Sequence, residues 1–176
     1  MKTIRNLLVL TALCVAASAQ SNSNSAAEQR YFNLEDSVQN RVDLADAELA
    51  SLANDDLIRK ELNQDPPIPK LTQDGLEATV VHLCGSGERD LVVIGDGEAY
   101  AGANVGPFWI IRDLPAGPIV VLSEISLGLT IETKRSNKCL NVQAIAATAV
   151  ESTTTDFSFN GEKYVVTRQK SQKLGR

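Results

Sequence analysis

Between Lys70 and Arg168 the apolar residues come in short runs separated by Gly, Pro, Asp or Asn. The runs are Leu76–Leu83, Asp90–Ile94, Phe108–Arg112, Ile119–Ser123, Leu129–Thr133, Cys139–Ala146, Thr153–Phe159 and Lys163–Thr167. Several are rich in Val, Ile or aromatic residues, and segments of this length bounded by turn formers predict β-strands. No helix-length stretch separates them, so neighbours in sequence are expected to pair antiparallel as a meander. Asn160-Gly161, between Phe157–Phe159 and Lys163–Val166, predicts a two-residue type I′ hairpin. Gly106–Arg112 has apolar side chains at successive positions, which predicts a central strand covered on both faces. Trp109 then has two readings, an anchor of the core or an aromatic on a binding face.

Upstream the period changes. Asp43 can cap a segment carrying Leu44, Leu49 and Leu52, and Asn54 or Asp55 can cap a second carrying Leu57, Ile58 and Leu62. Spacings of three to five residues predict short amphipathic helices whose apolar stripe packs a core. The prolines in Asp65–Pro69 end any helix, since each lacks a donor and restricts the residue before it. The expected fold is therefore α+β, with short N-terminal helices followed by an antiparallel β-sheet meander domain. The expected order is a signal peptide over 1–19, a flexible leader over 20–33, helices over 34–64, a Pro-rich linker over 65–69, the β domain over 70–168 and a basic tail over 169–176.

The first 19 residues read as an address rather than as structure. Lys2 and Arg5 precede the apolar run Leu7–Val15, and Ala17-Ser18-Ala19 follows, which are the three parts of a secretory signal. The run falls short of the roughly 20 apolar residues that span a bilayer, so no transmembrane segment is expected after cleavage. A secreted or periplasmic location follows. Of the three cysteines, Cys14 leaves with the signal, and Cys84 and Cys139 remain. An even count in an oxidising compartment reads as one disulfide, with two buried thiols or a Cys84 nucleophile beside His82 as the competing readings.

Charge narrows the partners. From Gln20 onward there are 15 basic and 22 acidic residues, an acidic balance ill suited to nucleic acid, whose phosphates require clustered Lys and Arg. Arg168, Lys170, Lys173 and Arg176 run against this balance and are expected to form a solvated terminus, or a tether to an acidic surface. The single His82 excludes multi-histidine metal sites within one chain, and the cysteines are too few for a cluster or an all-cysteine zinc site. No cofactor is expected.

Catalytic motifs do not assemble. Around Ser86, Cys84 and Glu88 stand where a hydrolase elbow needs glycines. Gly95-Asp96-Gly97-Glu98 matches neither phosphate-loop pattern, and Asp90, Asp96 and Glu98 lack the ordered spacing of a calcium loop. The chain is read as a noncatalytic binding protein for an unknown protein or cell-envelope ligand. Its candidate contact residues are Asp96, Glu98, Tyr100, Asn104 and Trp109, around the glycine-rich connection from Gly95 to Gly106. The alternative is a secreted hydrolase using two of Glu88, Asp90, Asp96 and Glu98, which predicts a concave pocket holding carboxyls with raised pKa.

Three blocks carry a resemblance: Gly87–Gly95 (GERDLVVIG), Gly102–Arg112 (GANVGPFWIIR) and Phe157–Tyr164 (FSFNGEKY). Over about Leu71 to Arg168 the chain resembles a group of exported bacterial β-rich proteins to which no activity is attached. The resemblance implies a signal peptide and a small β-rich domain, and it supplies no catalytic residues.

Overall fold

A computed structural model describes residues 28–61, 71–85, 87–95 and 105–175. Among these residues, ten strands and two short helices follow in order: β1 (Tyr31–Asn33), β2 (Arg41–Val42), α1 (Asp46–Ala53), α2 (Asp56–Glu61), β3 (Leu76–Val81), β4 (Asp90–Gly95), β5 (Gly106–Leu114), β6 (Gly117–Ser126), β7 (Gly128–Ser136), β8 (Cys139–Ala147), β9 (Glu151–Phe159) and β10 (Tyr164–Lys173). All eight strands expected from the apolar runs are present, and every pairing is antiparallel.

The expected single meander is two. β2–β6 form one five-stranded sheet in sequence order, and β7–β10 form a second, with β1 added beside β7. The division falls at Leu127, the one residue between β6 and β7. There the Ser126 hydroxyl donates to the Gly128 carbonyl at 3.2 Å and the Leu127 amide donates to the Ile145 carbonyl at 2.8 Å, so the chain turns a corner from one sheet into the other.

Alternation along the strands decides what lies between the layers. On β4, Val92 and Ile94 face the second sheet, while Leu91 and Val93 face away from it; on β5, Phe108 and Ile110 face in, and Trp109 and Ile111 face away. The inward set meets Leu129, Leu140, Val142, Phe157, Phe159 and Phe32 in the core between the sheets. The outward set is covered by Leu44, Leu52, Ile58 and Leu71 from the helical region. β4 and the first six residues of β5 are thus buried on both faces, which is why their sequence lacks a polar alternation.

Several local expectations change. Tyr31–Asn33, at the end of the expected leader, pairs with β7, because Phe32 enters the core between the sheets. Lys170 and Lys173, in the expected tail, extend β10 alongside Thr154 and Glu151. The cap of α1 is Ala45 rather than Asp43, its amide held by the Glu48 carboxylate at 2.7 Å. Asp55 does cap α2, accepting from the Leu57 amide at 3.0 Å. Asn160-Gly161 begins a four-residue connection in which the Asn160 carboxamide accepts from the Glu162 and Lys163 amides. The two-residue turn with positive φ at both positions is instead Asn137-Lys138, at 46° and 72°, closing the Ser136–Cys139 pair.

Candidate functional site

Cys139 follows that turn directly and is disulfide-bonded to Cys84, just beyond β3. Further bonds brace the same end. The Leu83 carbonyl accepts from the Leu140 amide at 2.9 Å and from Arg135 Nη1 at 3.0 Å, and the buried Tyr164 hydroxyl donates to the Leu140 carbonyl at 2.7 Å. Asp90 lies fully buried beside them. Its Oδ2 accepts from the Leu83 amide and its Oδ1 from Arg112 Nε, both at 3.0 Å, while Arg112 also binds Glu88 and stacks over the Phe159 ring at 5.2 Å. Burial raises the Asp90 carboxyl above its ordinary range despite the opposing pull of the Leu83 amide and Arg112.

These contacts bear on the catalytic alternatives. Cys84 has no thiol to offer His82, and Glu88 and Asp90 share the Arg112 guanidinium. Donor atoms of Cys84, Glu88 and Asp90 lie within 4.8 Å of one another, but the sulfur is covalently bound and both Asp90 oxygens are engaged. The cluster is a structural clasp.

Trp109, one of the candidate contact residues, has 0% exposure and lies between the sheet and the helices. Its indole Nε1 donates to Asp55 Oδ1 at 3.2 Å, and the other Asp55 oxygen accepts from the Ser123 hydroxyl at 2.7 Å. A tryptophan so enclosed anchors the helical layer and offers no contact face, so the binding assignment for Trp109 is corrected to a packing one. Asp96, Glu98, Tyr100 and Asn104 lie outside the described residues.

The two ends of that connection are described, and they meet a cleft. Gly95 and Ile94, at the end of β4 remote from the disulfide, line a concavity of about 280 Å³ together with Asn33–Ser37, Arg41 and Gly75–Glu77. Gly106, where β5 begins, packs against Leu34: an added Cβ would stand 2.6 Å from Leu34 Cδ2 and 3.2 Å from the Gly95 carbonyl oxygen. Asn33 orders the rim, accepting on Oδ1 from the Glu35 and Asp36 amides at 2.8 and 2.7 Å and donating from Nδ2 to Asp36. Arg41 Nη1 pairs with Glu77 at 3.2 Å and its Nη2 donates to the Leu76 carbonyl, while Glu77 also accepts from the Val38 amide. Glu35 and Asp36 are left as exposed acids at the mouth.

Sequence reasoning placed the site near Gly95–Gly106 but named none of these rim residues. They come from segments that only strand pairing and the packing of the two sheets bring together, and the one local sign was the Asn-x-Glu-Asp turn at Asn33. It likewise missed the clasp of Arg89, which binds both the buried Glu48 of α1 and Asp113 of β5. Comparison with known proteins returns no matching family model, no matching curated protein and no matching solved structure.

Proposed function

We propose that the protein is an exported, noncatalytic binding module that engages its ligand at the cleft end of the sandwich. The observation that carries this reading is the contrast between the two ends of β4. One end is closed by the disulfide, Arg112 and Arg135, and its polar groups are spent on one another. The other, at Ile94 and Gly95, holds an open polar cleft. A rigid sheet platform with a polar cleft at its end suits recognition. The disulfide and the N-terminal address support export to an oxidising compartment.

Two measurements test it. Cell fractionation with N-terminal sequencing should find the chain outside the cytoplasm and starting at Gln20; a cytoplasmic chain retaining Met1 would overturn export. Envelope extracts passed over the immobilised mature protein should yield a stoichiometric ligand, whose capture falls with Glu35→Lys and Asp36→Lys. Capture indifferent to both substitutions would move the site away from the cleft.

A further inference from the structure

The outward face of the β1/β7–β10 sheet belongs to neither hydrophobic cluster: one lies between the sheets and the other beneath the helices. Five residues stand in register across this face, one per strand: Tyr31, Thr130, Gln143, Asp156 and Arg168. Their neighbours along the strands, Phe32, Leu129, Ile131, Val142 and Phe157, are in the core, so the row points to solvent. At a strand spacing of about 4.8 Å the row is about 19 Å long.

The row is preorganised. Gln143 Nε2 donates to Asp156 Oδ1 at 2.8 Å and Arg168 Nε donates to Asp156 Oδ2 at 2.6 Å, tying amide, carboxylate and guanidinium together. At the far end Tyr31 is 52% exposed, and its ring lies over Gly128, where an added Cβ would be 3.3 Å from Cε2. A glycine there leaves room for the ring, and Tyr31 keeps half of its surface exposed. The adjacent row adds Thr154 and Lys170 on the same side.

Charge selects the ligand. Residues 28–126 carry 18 acidic and seven basic side chains, whereas residues 127–176 carry four acidic and eight basic ones. This sheet is therefore the basic layer of an acidic protein. Arg168 and Asp156 neutralise each other, and Lys134 and Lys170 supply the remaining positive charge on or beside the face, against Glu132. An aromatic plate, planar hydrogen-bonding groups at regular spacing and net positive charge complement a polymer of sugar rings bearing carboxylates.

We propose that this face binds an acidic polysaccharide, laid across the strands from Tyr31 to Arg168. The proposal relies on the export reading only for where the ligand is met, and it is separate from the cleft. Its test is titration calorimetry on the full mature chain with polygalacturonate and alginate at low ionic strength. The comparison ligands are methyl-esterified polygalacturonate, poly-glutamate and phosphatidylglycerol vesicles. Expected are binding to at least one uronate polymer, weakening on esterification, and a loss of at least about tenfold in affinity for both Tyr31→Ala and Lys170→Glu at unchanged melting temperature. Equal binding to poly-glutamate or vesicles would reduce the face to general electrostatics and overturn the proposal. So would affinity unaffected by Tyr31→Ala, or no binding to either uronate polymer. Failure on these terms leaves the cleft and export tests untouched.

Discussion

Replacing Cys84 and Cys139 together by alanine should remove about 4 kcal/mol of stability, because the bridge joins residues 55 apart in sequence. The chain-entropy treatment of a closed loop of this size supplies that figure at 25 °C, with the stabilisation arising in the unfolded chain. The folded state should change little. Leu140 and Arg135 hold the Leu83 carbonyl at the same end, and Tyr164 anchors Leu140, so the sheets remain docked without the covalent link. Urea unfolding of the oxidised protein and of the double variant, followed by Trp109 fluorescence, gives both midpoint and slope. The slope should steepen in the variant, whose released denatured chain exposes more surface. For a chain of this size the melting temperature should fall by about 8–16 °C. A loss below about 1 kcal/mol would refute the reasoning, because the unfolded loop would then already be as compact as the bridged one.

The remaining predictions concern packing and titration. Asp55→Ala removes the cap of α2 and the acceptor of Trp109 Nε1 and the Ser123 hydroxyl, and should cost about 3 kcal/mol in urea unfolding; a cost under about 1 kcal/mol would deny it a role in docking the helices. Gly106→Ala should destabilise by about 1–2 kcal/mol through collision with Leu34, and Leu34→Ala in the same chain should recover part of this; strictly additive costs would rule out the contact. Glu124 lies opposite Phe108 on β6, and burial raises its carboxyl above the ordinary range. The folded state keeps that proton after the unfolded chain has released it, so this group's contribution is complete below the ordinary carboxylate pKa and is lost as pH rises through the raised one. Glu124→Gln should therefore flatten the fall in stability with pH and be more stable than the parent at pH 7; an unchanged pH profile would refute this.

What the sequence carried was local. Short apolar runs bounded by Gly, Pro and Asn were enough for eight strands, because period and turn chemistry act over a few residues. Asp55 was legible as a helix cap for the same reason, and an even pair of cysteines in a chain read as exported was enough to expect the bridge. β1 and β2 were not legible, since segments of three and two residues have no period of their own and owe their extension to partners on β7 and β3. The site divides the same way. Glycine density marked the stretch between β4 and β5, but the cleft at Gly95 exists only because strand pairing joins Arg41 to Glu77 and the packing of the two sheets brings Asn33 to them.

Two facts of tertiary origin matter most for function. The turn from one sheet to the other at Leu127 made a sandwich of what reads as a continuous meander, and among the described residues that fold covers one outer sheet face with helices and leaves the other uncovered. It also gave Trp109 to the interior and aligned Tyr31 with Arg168 across five strands, though 137 positions separate them in the chain. Side-chain alternation says that a residue points to one side of its strand or the other. Which side is buried, and what stands opposite, is set by the free energy of packing whole layers together.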